Sequence, residues 1–214
     1  MKLAQFLSIH HENPQPRLIK AAVEIIRNGG VIAYPTDSCY ALGCHIGDKD
    51  AMEKIRAIRD VDSRHHLTLM CANLSQVGLF AKVDNIQHRL IKANTPGSYT
   101  FILRASREVP RRLMHPRLTI GVRIPDHRVA MALLEELGEP LLSSTLILPD
   151  QGNALNDPLE IRNQLDRELD LIVDSGPCGL QVTTVIDLSQ DAPILLREGK
   201  GDIRPFGFVK EALH

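Results

Sequence analysis

Residues 29–43 read GGVIAYPTDSCYALG, and this stretch decides the fold. The apolar run 31–34 predicts a buried strand, and Pro35 ends it because proline cannot donate a hydrogen bond to a sheet ladder. The hydroxyl and acidic residues 36–38 then stand at a strand end, where α/β proteins usually form ligand sites. A surface turn would explain the same residues. A second short strand is expected over 41–45.

Hydrophobic spacing and turn residues predict helices and strands that mix from end to end without strict alternation. The predicted helices run from Pro16 to a stop at Gly29 and over 48–58, 85–93, 129–137 and 158–165. The predicted strands cover 31–34, 41–45, 67–71, 99–104, 119–124, 141–145, 169–173, 182–187 and 194–197. This mixture indicates an α/β or α+β domain with a large mixed sheet.

The length of 214 residues, without an evident linker, predicts a single domain over 1–214. No apolar run approaches the roughly 18 residues that a membrane span needs. A secretory signal is not expected either, and four cysteines without a CxxC pair indicate a reduced, cytoplasmic protein. The tail from Asp202 carries Phe206, Phe208 and Val209, and we expect it to dock on the body or on a partner subunit.

The net charge of −1 conceals an asymmetry between the two parts of the chain. Residues 1–130 contain 19 Lys/Arg and 11 Asp/Glu, whereas residues 131–214 contain 6 and 15. Such a split indicates an anionic partner for the basic part, unless the two parts neutralise each other in the fold. The densest basic run includes Arg104, Arg107, Arg111, Arg112 and Arg117.

Neither a GxxxxGK[ST] loop nor a GxGxxG motif is present. Hydroxyl and guanidinium groups stand instead near several predicted element ends, at Thr36, Ser38, Arg59, Thr100, Arg123, Ser143, Ser144, Thr145 and Arg197. If those ends converge, they form a cleft suited to a nucleotide triphosphate.

Several of these residues have a second interpretation. Arg123 and Arg197 would contact phosphate or form ion pairs with the acidic part of the chain. Asp37 would hold Mg²⁺ or bond to its own turn, and Tyr40 would stack on a base or pack in the core. We expect His65-His66 to lie in a solvated loop, because a metal pair would need a third ligand.

Six segments, taken in order, resemble the YrdC/YciO family of threonylcarbamoyl-adenylate synthases. They read YPTDSCYALG (34–43), TPGSYTFIL (95–103), GVRIP (121–125), PLLSST (140–145), TTVID (183–187) and LREG (196–199). Residues 56–59, 67–71 and 109–113 are closer to the YciO branch.

The resemblance implies an α/β (α+β) fold, a single twisted mixed-sheet domain of the YrdC/RibB-like type with a deep cleft. It implies ATP, L-threonine and bicarbonate as substrates, and Mg²⁺ bridging phosphate oxygens. The product of such enzymes feeds the modification of adenosine 37 in tRNA. The family is also described as binding double-stranded RNA on a basic concave face.

The resemblance also assigns roles to residues. Catalytic roles fall to Thr36 and Arg59. Nucleotide or substrate contacts fall to Asp37, Ser38, Tyr40, Arg56, Thr68, Thr100, Arg123, Ser143, Ser144, Thr145 and Arg197. Contacts to double-stranded RNA or tRNA fall to Arg104, Arg107, Arg111, Arg112 and Arg117. No side chain is assigned to a metal.

Two family motifs are altered in this chain. The Lys-x-Arg motif of the synthases aligns with Ala57-Ile58-Arg59, so the lysine is missing. The Thr-Ser-Ala-Asn stretch aligns with 144–147, so Thr145 replaces the serine and Ile147 the asparagine. Losing groups that face developing charge costs about 3–4 kcal/mol each at a transition state.

We therefore predict a nucleotide- and RNA-binding protein with weak or altered synthase activity. One alternative is a competent synthase in which Arg56 or another cation replaces the lysine. A second is a non-enzymatic RNA-binding or ribosome-assembly factor. A third is a related adenylation or carbamoylation with another amino acid or none.

Overall fold

The computed structural model describes residues 3–62, 65, 67–113, 116–149 and 151–209. The strands in these ranges are β1 (Gln5–Ser8), β2 (Ile32–Tyr34), β3 (Ala41–His45), β4 (Thr68–Met70), β5 (Ala81–Lys82), β6 (Tyr99–Ala105), β7 (Thr119–Arg123), β8 (Leu141–Thr145), β9 (Leu171–Asp174), β10 (Thr184–Asp187) and β11 (Ile194–Arg197). The α-helices are α1 (Pro16–Arg27), α2 (Lys49–Arg59), α3 (Leu74–Phe80), α4 (Asn85–Ala93), α5 (Arg128–Leu137) and α6 (Pro158–Leu165).

The strands form one twisted mixed sheet, as the sequence predicts. Their order is β1-β9-β2-β3-β8-β4-β7-β6-β10-β11, with β5 paired to β6. The pairs β1–β9, β9–β2, β4–β7 and β6–β10 are parallel, and the remaining pairs are antiparallel.

Helices cover both faces of the sheet. One buried cluster joins α1 and α5 to the sheet through side chains such as Ile26 and Leu133. The other contains residues of α2, α3, α4 and α6, such as Ile55 and Ile161. None of the helices in the described ranges is long and apolar enough to cross a membrane.

Residues at the two ends of α2 fix its length and so the position of Arg59. The Asp48 carboxylate accepts a hydrogen bond from Ala51 N at 2.8 Å and starts the helix. Asp60 adopts a left-handed conformation (φ 50°), which ends it. Arg59 is therefore the last helical residue, and a positive side chain in that position complements the helix dipole.

The predicted elements are present, with ends shifted by a few residues at most positions. The sequence interpretation missed β1, α3 and β5. The α3 segment contains Gly78, which lowers helix propensity by about 1 kcal/mol, and β5 has only two residues. The expected docking of the tail on the body is seen at Phe206, which is buried against Tyr99 and Phe101.

Candidate functional site

A cavity of about 240 Å³ lies where β4, β6, β8 and β11 approach the end of α2. Its described lining is Arg59, His65, Thr68, Thr100, Ile102, Ser144, Thr145, Ile147, Thr183, Val185, Leu196 and Arg197. Five of these side chains carry hydroxyls, two carry guanidinium groups and none carries a carboxylate. Such a lining is suited to an anion.

A glycine leaves room for the cavity on β7. Gly121 pairs with Thr68 of β4 on one side and with Ile102 of β6 on the other, and both neighbours line the cavity. Residues paired across a sheet share a face. A Cβ at Gly121 would lie 3.2 Å from Thr68 Oγ1 and 3.5 Å from Ile102 Cδ1, so a side chain there would fill this space.

Arg59 joins α2 to the end of β8. Its Nη1 donates to Ser144 Oγ at 2.9 Å and also to the Thr145 carbonyl oxygen. Both acceptors are neutral, so these bonds orient the guanidinium group without cancelling its charge.

Arg197 is held in the same manner at the end of β11. Its Nε donates to the Thr183 carbonyl oxygen at 3.1 Å, and its Nη2 donates to Thr183 Oγ1 at 3.0 Å. The Thr183 hydroxyl in turn lies 3.0 Å from Thr100 Oγ1. A neutral network therefore fixes a second cation in the cavity wall.

Asp37 and Arg123 form a buried ion pair in the turn after β2. Arg123 Nη2 lies 2.5 Å from Asp37 Oδ1, and the two side chains are 6% and 9% exposed. Ser98 Oγ donates to Asp37 Oδ2 at 2.5 Å, and Asp126 N donates to Oδ1 at 3.2 Å. Lys200 Nζ donates to the Asp37 carbonyl oxygen.

The same guanidinium group orders the adjacent hydroxyls. Arg123 Nη1 donates to Ser38 Oγ at 3.1 Å, and Thr36 Oγ1 donates to the Cys39 carbonyl oxygen at 2.6 Å. Burial acts to raise the pKa of the Asp37 carboxyl, but the Arg123 charge and the hydrogen bonds hold that pKa below its usual value. Asp37 therefore remains ionised and neutralises Arg123.

The three arginines interact electrostatically. Burial, and then the charge of Arg197, lower the pKa of Arg59. Burial and the charge of Arg123 lower the pKa of Arg197. Mutual repulsion among partly buried cations is relieved when an anion binds between them.

The structure groups the predicted site residues in three places. Those that line the cavity are Arg59, Thr68, Thr100, Ser144, Thr145 and Arg197. Those in the ion-pair network are Thr36, Asp37, Ser38 and Arg123. Those that bond elsewhere are Tyr40, Arg56 and Ser143.

The third group has structural partners. The Tyr40 hydroxyl donates to the Gly176 carbonyl oxygen at 2.9 Å. The Ser143 hydroxyl lies 2.7 Å from the Tyr34 hydroxyl and donates to the Leu42 carbonyl oxygen. Arg56 Nη1 lies 2.9 Å from Glu53 Oε1 on its own helix. These contacts account for the two hydroxyls without a ligand, whereas the buried Nε of Arg56 has no hydrogen-bond partner among the described residues.

Sequence reasoning missed several members of the site. Thr183 belongs to a quoted family segment but was given no role. Ser98 lies in another of these segments and Lys200 directly follows the last one, but only the fold shows that both contact Asp37. His65 is exposed, as a solvated loop predicts, and it also lines the cavity. Arg64 and His66 lie outside the described residues.

A resident Mg²⁺ does not fit the protein groups at this site. No carboxylate is among the described cavity-lining residues, and both carboxylate oxygens of Asp37 already accept hydrogen bonds. Within the described ranges, no three His, Cys, Asp or Glu side chains are grouped to hold a metal ion. Mg²⁺ prefers carboxylates and substrate phosphates as ligands.

The predicted RNA-contact arginines lie mostly in a second region, here called the basic groove. One part is lined by Lys82, Arg107 and Arg111. The adjoining part is lined by Lys82, Arg104 and Arg117. Arg112 is separate, because it donates to the Gly47 carbonyl oxygen.

Comparisons with known proteins find relatives along most of the chain. Residues 24–199 match the Sua5_yciO_yrdC family model, whose description reads Telomere recombination. The uncharacterized protein YciO of Escherichia coli K12 is 54% identical over 205 residues, which cover 95% of this chain and 100% of YciO. The crystal structure of E. coli YciO matches with a TM-score of 0.93, over the same shares of the two chains.

More distant relatives are named for an activity or a bound ligand. The threonylcarbamoyl-AMP synthase of Bacillus subtilis 168 is 31% identical over 191 residues, covering 86% of this chain and 54% of that protein. The structure of P. abyssi Sua5 complexed with L-threonine is 27% identical with a TM-score of 0.84, covering 91% of this chain and 57% of that chain.

The ion pair generates a stability prediction. Asp37→Asn should lower the free energy of unfolding at pH 7 by about 3 kcal/mol, because it leaves the Arg123 guanidinium buried without its counter-charge. The pKa of Asp37 is lowered in the folded state, so its stabilisation is present at neutral pH. That stabilisation declines as the pH falls below the ordinary value of 3.8 towards the lower pKa of the folded state. Urea unfolding at pH 7 and pH 3.5 measures both effects.

The matched control is Asp191→Asn, at an exposed aspartate. The control should leave the free energy of unfolding unchanged, and the difference between Asp37→Asn and wild type should shrink at pH 3.5. Equal stability of Asp37→Asn and wild type at pH 7 would contradict the buried-pair assignment.

Proposed function

Since the chain belongs to the Sua5_yciO_yrdC family, we propose that its cavity binds ATP and supports weak or altered threonylcarbamoyl-adenylate synthesis. Family membership confirms the resemblance that the motifs indicate. The observation that carries the proposal is the described cavity lining, with two guanidinium groups and five hydroxyls but no carboxylate.

The size of the cavity limits what enters it. At about 240 Å³ it is smaller than the roughly 300–1,000 Å³ of most small-molecule sites. Part of a polyphosphate chain or an amino acid fits, while the rest of a nucleotide would extend outside. Arg59 and Arg197 would contact the phosphates, and the threonine and serine hydroxyls would donate to their oxygens.

The chemistry requires no nucleophile from the protein. A threonine carbamate carboxylate would attack the α-phosphorus of ATP, forming a new P–O bond, and the bond to pyrophosphate would break. Arg59 and Arg197 would neutralise charge on the pentacoordinate phosphorus and on the leaving group. Mg²⁺ would enter with the nucleotide, bound to phosphate oxygens.

The altered motifs support a low rate. Ala57 stands where the synthases have a lysine, so that cation is missing from α2. Ile147 lines the cavity where the synthases have an asparagine amide. Arg56 shares a helix face with Arg59, but it is paired with Glu53.

The basic groove supports a second function, binding of double-stranded RNA or tRNA. Arg107 and Arg111 are exposed, and together with Lys82 they line one continuous surface. Arg104 and Arg117 extend the positive charge along the adjoining part. A row of cations of this kind matches a phosphate backbone.

The nucleotide proposal predicts a loss of affinity when one cavity cation is removed. Arg197→Gln should weaken ATP binding about 10- to 100-fold, because a charge-assisted hydrogen bond contributes about 1.5–3 kcal/mol. Isothermal titration calorimetry with ATP and Mg²⁺ measures the Kd, and thermal unfolding checks that the variant is folded. Arg89→Gln, on the exposed face of α4, is the matched control. Equal Kd values for Arg197→Gln and wild type would exclude this cavity as the phosphate site.

The low-rate proposal predicts a gain of activity from a single amide. Ile147→Asn should raise pyrophosphate release in the presence of ATP, L-threonine and bicarbonate by about tenfold or more, because the amide can stabilise developing charge. An authentic synthase gives the reference rate, and omission of L-threonine gives the background. Wild-type turnover equal to that of the synthase would refute the expectation of weak activity and favour the competent enzyme.

The RNA proposal predicts a salt-dependent affinity that the groove controls. Arg107→Glu/Arg111→Glu should weaken duplex RNA binding at least about tenfold. It should also make the negative slope of log K against log salt shallower, by about two. Filter binding at several salt concentrations measures both quantities. Arg17→Glu/Lys20→Glu on α1 makes the same charge change elsewhere and is the control. Equal losses in both double variants would show a non-specific charge effect.

A further inference from the structure

His65 is the one cavity residue that changes charge near neutral pH, among the described lining residues. It lines the cavity beside Arg59 and Arg197 and is exposed enough to exchange protons with solvent. Its backbone N donates to the Asp62 carbonyl oxygen at 3.1 Å, which anchors it after the end of α2.

The charges that act on His65 come from three elements. Arg59 and Arg56 belong to α2, Arg197 belongs to β11, and Asp62 belongs to the loop of His65 itself. Partial burial and then the charges of Arg59 and Arg197 lower the pKa of His65, and Asp62 opposes them only partly. In the free protein at neutral pH the imidazole is therefore mostly neutral.

We propose that His65 is a third cation of the cavity, which takes up a proton when a polyphosphate binds between Arg59 and Arg197. The inference rests on the proposed nucleotide site and deepens it. A polyphosphate carries more than one negative charge, so it reverses the field that Arg59 and Arg197 impose on the ring. The imidazolium then supplies a third positive charge beside Arg59 and Arg197.

Proton uptake makes ligand affinity depend on pH in a defined direction. The complex holds one more proton than the free protein, so affinity falls as the pH rises. The fall reaches up to about tenfold per pH unit between the pKa of the free imidazole and that of the complex. A protein with a permanent cation at residue 65 would bind the polyphosphate as tightly, but its affinity would lack this pH dependence.

The experiment uses ATP and inorganic pyrophosphate as probes, with wild type, His65→Gln and His65→Lys. Calorimetry in two buffers of unequal ionisation enthalpy measures the protons taken up per ligand. Protonation of the ligand itself cancels in the comparison between variants. NMR of the imidazole ε1 proton, assigned by its loss in His65→Gln, measures the pKa of His65 with and without ligand. His88→Gln on α4 is the control.

Wild type and His88→Gln should take up as much as about one proton more per ligand than His65→Gln near neutral pH. Between pH 6 and pH 8 the wild-type affinity should fall about tenfold more than that of His65→Gln. His65→Lys should keep tight binding without the extra proton. The NMR pKa should rise on binding in wild type.

The outcomes separate the two proposals. Equal proton uptake by wild type and His65→Gln would overturn the role of His65 and leave ATP binding intact. Binding of pyrophosphate but not ATP, with the extra proton present, would support His65 and refute the nucleotide. A cavity that binds neither probe would refute both proposals.

Discussion

The buried ion pair between Asp37 and Arg123 is the constraint on which the rest of the site depends. It joins the turn after β2 to the end of β7, with β3, β8 and β4 lying between them in the sheet. Burying two charges costs several kcal/mol each, so they remain together only with good geometry and further hydrogen bonds. Ser98 supplies one of these bonds, and Lys200 ties the loop after β11 to the same turn. Segments distant in sequence are thereby brought to one place.

The pair also divides the arginines into two kinds. Arg123 is compensated by a carboxylate, whereas Arg59 and Arg197 are held by hydroxyls and carbonyl oxygens. Neutral partners fix the direction of a guanidinium group and leave its charge available to a ligand. The free cavity therefore carries repulsion that an anion relieves, and the same field keeps His65 neutral until such an anion arrives. The proposed attraction for polyphosphate and the proposed proton uptake therefore have one physical cause.

Much of the fold could be predicted because its signals are local. The apolar run before Pro35 forms β2, and the spacing after Asp48 forms α2 with that aspartate as its cap. The β5 segment has only two residues. The β1 segment is an edge strand with exposed or half-buried residues, so it lacks the buried apolar run that marks β2. Gly78 lowers the helix propensity of the α3 segment, so the sequence does not indicate a helix there. The helix forms nevertheless, because packing of the buried Val77 offsets this cost.

Parts of the site could also be predicted from the sequence. Strand-end residues such as Thr68, Thr100 and Arg197 do meet in one cavity. The charge asymmetry along the chain was less informative at Arg123. Its partner Asp37 belongs to the same basic part, residues 1–130. The counts of charged residues in the two parts therefore could not identify this ion pair.

By itself the sequence determined most of the elements, the family and the kinds of chemical group near the strand ends. These properties depend on local periodicity, turn residues and motif order. Only the tertiary structure decided which cations are neutralised and which remain available to a ligand. Ser98 and Arg123 reach Asp37 across 61 and 86 positions of the chain, and the energy of such contacts depends on distance in space and on burial.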